Sequence, residues 1–228
     1  TTRWRYTALD QALRRDNSPE IIELMLDYGA RPAALAVAIA ARRGRGDALD
    51  LFERRGFPIE LQGVERLIAA CARNDVARVH AIAAEEPQLV RELRARGGTL
   101  LAEFAGNANT EGVRCLLDLG VDVSALYASG DGYFGVAPNS TALHVAAWRA
   151  WHGTVQFLIE RGAPINVTDG KGRTPLALAV RACVDSYWTR RRSPASVQAL
   201  LGAGASLNGV AYPSGYAEVD ELLRAHGK

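Results

Sequence analysis

Apolar residues recur along this chain in short amphipathic runs of helical period, each closed by a glycine a few positions after an apolar pair. Met25-Leu26 leads to Gly29, Leu51-Phe52 to Gly56, Leu116-Leu117 to Gly120, Leu158-Ile159 to Gly162, Leu200-Leu201 to Gly204 and Leu222-Leu223 to Gly227. A glycine in that place ends a helix in the left-handed conformation without a Cβ clash. A second phrase precedes the first by about one helical hairpin. Its best copies are Thr141-Ala142-Leu143-His144-Val145-Ala146-Ala147 and Thr174-Pro175-Leu176-Ala177-Leu178-Ala179, with weaker ones at 7–12, 67–70 and 101–105. The threonine suits a helix cap, and Pro175 takes a first helical position where its missing N–H costs nothing. The pattern predicts pairs of short helices, repeated.

Anchor leucines at Leu9, Leu35, Leu67, Leu101, Leu143 and Leu176 lie 26, 32, 34, 42 and 33 residues apart. The two phrases resemble the T-P-L-H-x-A and L-L-x-x-G-A signatures of ankyrin repeats, whose period is about 33 residues. The resemblance covers nearly the whole chain. It implies an all-α fold: a single ankyrin-repeat solenoid over 1–228, with repeats near 7–32, 33–60, 64–97, 98–125, 140–167 and 173–208 and a cap at 210–228. Short β-hairpin fingers should join the later repeats, with Asn166–Pro175 as a complete one. Leu35 follows Gly29 by only six positions, so the first two repeats are expected to share a bare loop.

Departures from the repeat carry their own expectations. Glu86 stands where a glycine should and Pro87 follows it, so one helix ends there and Pro87–Arg94 adds a short helical turn. An aromatic- and glycine-rich insertion, Leu126–Gly135, lengthens the connection before Leu143. A second insertion, Val184–Pro194, is expected to extend the first helix of the last full repeat, with Ser193-Pro194 opening the next helix. Ala217–Ala225 reads as an amphipathic capping helix carrying Val219, Leu222 and Leu223. Trp4 and Tyr6 either cover the opposite end, or an upstream repeat has been cut away.

Composition narrows the chemistry. The formal net charge is +2, too small to imply a nucleic-acid partner by itself. The longest strongly apolar stretch, Ala33–Ala41, is about half of a membrane span. Cys71, Cys115 and Cys183 lie far apart in apolar helical contexts, as reduced, buried thiols would in a cytoplasmic protein. H-E-x-x-H, G-x-S-x-G, a phosphate loop ending in Lys-Ser/Thr and Cys-x-x-Cys are absent from the sequence, and Gly44-Arg45-Gly46 reads as an inter-helix loop. His80, His144, His152 and His226 are scattered, and Glu85-Glu86 reads as a solvated face. The reading is therefore non-catalytic, with no cofactor and no metal.

The resemblance also implies where a partner binds: finger tips and the two positions that follow the alanine pair of each first helix. Carried over, these are Arg14 and Arg15, Ala40 and Ala41, Ala72 and Arg73, Gly106 and Asn107, Trp148 and Arg149, Arg181 and Ala182. Five of the twelve are arginine and none is acidic. With Tyr133 and Phe134 of the first insertion and Lys171 and Arg173 of the finger, Arg14, Arg15, Arg73, Asn107, Trp148, Arg149 and Arg181 form the candidate partner-binding set. Trp148 is expected as an exposed anchor and Trp151 as an inward-packed residue, since Trp and Arg dominate interface hot spots. The expected function is a protein-binding adaptor, scaffold or inhibitor, monomeric, meeting a partner with an acidic surface. The alternatives are nucleic-acid binding through the arginine row and a regulatory ankyrin fragment of a larger enzyme. Tyr187-Trp188 with Arg190–Arg192 resembles an aromatic-plus-basic patch for nucleic acid, against the simpler reading of packed aromatics and solvated arginines.

Overall fold

The structure, a computed structural model, describes residues 6–227. Fourteen α-helices and one 3-10 turn account for its regular structure, and no strand is present among the described residues. None of these helices is long and apolar enough to cross a membrane. The helices fall into two compact units. One holds the residues up to Arg96 together with Glu111–Val121; the other holds Gly97–Thr110 and the residues from Asp122 onward.

In the first unit α1 (Ala8–Arg14), α3 (Ala34–Arg42), α5 (Val64–Ala72) and α7 (Pro87–Ala95) pack side by side in that order. Behind them α2 (Pro19–Asp27) packs on α4 (Gly46–Arg54), while α6 (Val76–Glu85) packs on α5 and α7. α9 (Thr110–Asp118), all but its first residue, completes the unit. Local chemistry sets the starts. Thr7 Oγ accepts from the Asp10 amide at 3.1 Å while the Asp10 carboxylate accepts from the Thr7 amide at 2.7 Å, a reciprocal cap. Pro87 opens α7, so the short turn expected at Pro87–Arg94 is a nine-residue helix burying Leu89 and Leu93. Packing is closest at Gly46: an added Cβ would collide with the Ala72 carbonyl, so the sequence Gly44-Arg45-Gly46 serves the approach of α4 to α5.

In the second unit α8 (Gly97–Gly106), α10 (Ala142–Trp148) and α12 (Pro175–Asp185) pack side by side, with α11 (His152–Glu160) and α13 (Ala195–Gly202) behind them and α14 (Ala217–Ala225) on α13. Val219 and Leu223 of α14 are buried. α13 begins one residue later than Ser193-Pro194 predicted, with Pro194 as its cap. Polar groups stitch the repeats here. Thr110 and Thr154 share a hydrogen bond of 2.7 Å, and the Trp151 indole donates to the Gly106 carbonyl at 2.7 Å.

Three expectations need correction. The finger Asn166–Pro175 is a turn, not a β-hairpin: the Asp169 amide donates to Arg173, the Gly172 amide to Asp169, and the Gly170 amide to Pro138 of the preceding connection. The extended pairing that does occur is two isolated bridges in the first insertion, Tyr127 with Ser140 and Asp131 with Val136. The second insertion does not lengthen α12. Ser186 is buried, turns to extended backbone and donates its hydroxyl to the Ala182 carbonyl at 2.6 Å, and the chain then forms a 3-10 turn at Thr189–Arg191. The third concerns register. α1, α3, α5, α8 and α10 each end two residues before a left-handed position, at Asp16, Gly44, Asn74, Ala108 and Ala150. Aligned on these turns, the anchor of the second repeat is Val37, which is buried, and not Leu35, which is exposed.

The cysteines fit their expectation. All three are free and buried, and burial raises each thiol's pKa; Cys183 donates to the Ser193 carbonyl at 3.3 Å, closing the base of the second insertion. Trp4 lies outside the described residues, and Tyr6 lies under the Arg14 guanidinium at 4.4 Å from ring centroid.

Candidate interaction surface

The register correction changes the row of candidate contact residues. The positions equivalent to Arg14 and Arg15 in the second repeat are Arg42 and Arg43, not Ala40 and Ala41, which are buried. In the first unit the row therefore reads Arg14, Arg15, Arg42, Arg43, Ala72 and Arg73. Arg15, Arg43 and Arg73 cap the C-terminal ends of their helices, where a cation complements the negative end of the helix dipole. The sequence signal for this was present: Arg-Arg-Asp and Arg-Arg-Gly end with the residue types that tolerate a left-handed turn.

Arginine in this unit works mainly through carboxylates. Arg73 reaches back to Asp50 at 2.6 Å and to Glu53 on α4. Arg55 holds Glu23 and Asp27 of α2 at 3.0 and 2.6 Å. Glu65 takes Arg42 at 2.8 Å and Arg96 at 2.9 Å. Arg66 pairs with Glu86, so that the paired carboxylates of the sequence contribute an ion pair and not acid–base chemistry. Beside Arg73 lies a cleft of about 70 Å³, lined among others by Ile59, Leu61, Arg66 and Arg78.

The second unit treats the same row differently. Trp148 is 6% exposed and Arg149 is 2% exposed, so neither is the open anchor that the sequence suggested. The two insertions explain this. The Trp148 indole donates to the Phe134 carbonyl at 2.6 Å, and its ring meets Trp188 edge to face at 5.6 Å between centroids. The Arg149 guanidinium lies 3.9 Å from the Phe134 ring centroid and 4.8 Å from that of Trp188. Phe134 comes from the first insertion and Trp188 from the second, so one buried arginine joins both. Trp151, expected inside, is half-buried beneath the Arg191 guanidinium at 3.7 Å. Arg192 donates to the Ser186 carbonyl at 2.8 Å, so Arg191 and Arg192 turn inward and Arg190 is the exposed member of the three. Of the patch considered for nucleic acid, Trp188, Arg191 and Arg192 are engaged within the protein, while Tyr187 and Arg190 stay exposed.

The remaining candidates divide. Asn107 folds back on its own helix, donating to the Glu103 carbonyl at 2.9 Å. Arg181 is exposed, pairs with Asp185 at 3.2 Å and lies over Trp148 at 5.3 Å. Arg173 pairs at 2.7 Å with Asp169, whose carboxylate also accepts from the Lys171 and Arg173 amides at 2.8 and 3.0 Å. Burial raises the Asp169 pKa, but those donors outweigh it and hold the carboxyl below its ordinary range. Tyr133 and Lys171 are exposed, and Phe134 is half-buried.

Two of the histidines, His144 and His152, tie elements together. His144 Nδ1 accepts from the Thr141 amide at 3.1 Å, so Nε2–H donates to the Arg173 carbonyl at 3.1 Å, tying a helix start to the next finger. Burial lowers its pKa, against the pull of Asp169 and the backbone carbonyls. His152 does the same for the second insertion: Nε2–H donates to the Arg191 carbonyl at 2.9 Å and Nδ1 meets the Ser196 hydroxyl at 2.7 Å.

A latch from the signature histidine to the neighbouring finger, on helical hairpins that turn left-handed at equivalent places, is the ankyrin arrangement, and the family model for the ankyrin repeat matches residues 139–170. The chain is an ankyrin-repeat protein. Among its relatives, Rabankyrin-5 of Homo sapiens is 38% identical over 90 residues, which is 37% of this chain and 8% of that protein. Rabankyrin-5 of Mus musculus is 36% identical over 84 residues, 35% of this chain and 7% of that protein. Serine/threonine-protein kinase 12 of Arabidopsis thaliana is 34% identical over 84 residues, 37% of this chain and 16% of that protein. The chain thus spans less than a fifth of the length of the relatives it matches. Ankyrin repeats in general mediate binding between proteins, and this chain carries such repeats.

Proposed function

We propose that this ankyrin-repeat chain binds a partner protein through the arginine row of its first unit, meeting carboxylates on the partner's surface. One observation carries the reading: in structural register, five of the six row positions there are arginine, namely Arg14, Arg15, Arg42, Arg43 and Arg73. Arginine suits the task because its planar fork makes bidentate bonds to a carboxylate. The ion pairs already present fix several of these side chains before binding, which reduces the ordering cost of association. The role is that of a monomeric, cytoplasmic adaptor, scaffold or inhibitor without catalysis of its own. Lys171, Arg173, Arg181 and Tyr133 extend the candidate surface in the second unit.

The test replaces Arg15 and Arg43 with glutamate, two residues on which neither insertion depends. Proteins captured from a lysate by the wild-type chain are re-measured against the folded variant, alongside polyglutamate and a random DNA duplex. Loss of both the captured partner and polyglutamate supports the reading. Retained partner affinity overturns it, and steeply salt-dependent binding of the duplex assigns the row to nucleic acid instead. The match to an Arabidopsis kinase motivates a second reading, in which these repeats regulate a larger enzyme.

A further inference from the structure

The first helix of a repeat passes to the second through a short link: residues 43–45 join α3 to α4, 73–75 join α5 to α6, and 149–151 join α10 to α11. Residues 186–194 join α12 to α13, so nine residues stand where three suffice. Most of this longer link is fastened down. The Ser186 hydroxyl donates to the Ala182 carbonyl at 2.6 Å and Arg192 to the Ser186 carbonyl at 2.8 Å. His152 donates to the Arg191 carbonyl at 2.9 Å, and the Cys183 thiol to the Ser193 carbonyl at 3.3 Å. Trp188 meets Trp148 edge to face, and Arg191 lies over the Trp151 ring.

Two side chains of the link face the other way. Tyr187 is 92% exposed, and Arg190, three positions on, is exposed as well. An aromatic ring left in water forgoes the stability that burial would add. Tyrosine and arginine are also enriched among the residues that dominate interface energies. Carried on a loop tied at both ends and in its middle, the pair is displayed in a fixed arrangement, which lowers the ordering cost of association.

We propose that the loop 186–194 is a docking knob for a folded partner protein, which receives the Tyr187 ring in an apolar pocket and meets Arg190 with a carboxylate at the pocket's rim. Shape follows from exposure: a ring that projects this far is not seated in a groove of its own chain and calls for a concave acceptor. Charge follows from composition: residues 184–194 hold three arginines against one aspartate, and that aspartate, Asp185, pairs with Arg181 at 3.2 Å. A nucleic-acid strand fits less well, because it needs a track of cations along its phosphates, and Arg191 and Arg192 turn inward. The knob shares no residue with the arginine row.

The experiment immobilises the full chain, purifies each protein it retains from a lysate, and measures the affinity of that protein for wild type and variants. Tyr187→Ala should weaken binding about 30-fold, the effect of truncating a dominant interface residue. Tyr187→Phe keeps the ring and should lose no more than about 5-fold. Arg190→Glu should weaken binding about 10-fold at low salt and scarcely at all in about 1 M salt. All three should leave the thermal midpoint within about 2 °C of wild type, as substitutions at exposed positions do. The proposal is overturned if no retained protein shows the loss with Tyr187→Ala, or if Tyr187→Phe loses as much. A larger fall in the midpoint also overturns it, since Tyr187 would then belong to the loop's own packing. An oligothymidylate bound by wild type and released by Tyr187→Ala assigns the knob to single-stranded nucleic acid and overturns it as well. A partner lost with Arg15→Glu and Arg43→Glu but kept by Tyr187→Ala overturns the knob and leaves the arginine row standing, so the two readings fail separately.

Discussion

The two units of this chain spend the same residue in opposite ways. In the first, arginine faces carboxylates: Arg55, Arg73, Arg42 and Arg96 each bridge one helix to another through ion pairs at the surface. In the second, where Arg173 and Arg181 keep acidic partners, the two arginines that meet the insertions face rings: Arg149 and Arg191 lie against Phe134, Trp188 and Trp151. Surface ion pairs contribute little and weaken with salt, whereas a guanidinium withdrawn from water onto aromatic faces is held more firmly and is scarcely screened. The first arrangement leaves arginine available to a partner. The second converts a contact position into a fastening for two loops.

Several substitutions break or sharpen this contrast. Trp148→Ala removes the floor of the aromatic stack and should cost about 3–5 kcal/mol in chemical denaturation, as buried Trp truncations do. A smaller loss would show that the insertions fold over Arg149 without it. Arg149→Met keeps the volume and deletes the cation; it should cost about 2 kcal/mol, with little dependence on salt up to 1 M or so. A loss that vanishes in salt would place Arg149 with the surface pairs. His144 yields a pH test. Its folded pKa lies below the unfolded value near 6.5, so the unfolded chain binds the extra proton first. Its contribution is full above about pH 6.5 and is lost as pH falls through the lowered folded value. Stability should therefore drop below that pH, and His144→Gln should flatten this segment of the profile. Arg73→Gln should have the smallest effect, about 0–1 kcal/mol, and 1 M or so salt should erase it.

Much of the fold was legible because glycines, cap threonines and apolar pairs act locally. Thr7, Thr141, Thr174 and Pro175 stand at the helix starts that their chemistry predicts. The register of the second repeat was misread because Leu35 and Val37 are both apolar in an alanine-rich run, and the deciding mark, the left-handed Gly44, lies downstream. Once that turn is used, Arg42 and Arg43 enter the row. The burial of Trp148 and Arg149 was not legible. It depends on Phe134 and Trp188, which are 54 positions apart and meet only after both insertions fold. Nor did helical composition at Val184–Pro194 betray the break at Ser186, since a buried serine hydroxyl bonded to its own helix leaves no mark in the pattern.

The three buried thiols give each unit its own clock. Cys71 and Cys115 sit in the first unit and Cys183 in the second, beneath the base of an insertion. A thiol reagent can modify such a sulfur only while its surroundings are transiently open, because the reactive thiolate is disfavoured by burial. Trapping rates at Cys71 and Cys183 therefore report separately how often each unit breathes, with no label added to the protein. If the ring-clad arginines fasten more firmly than the paired ones, Cys183 will be trapped the more slowly in high salt. An engineered reporter would disturb the packing it was meant to read; these sulfurs are already part of it.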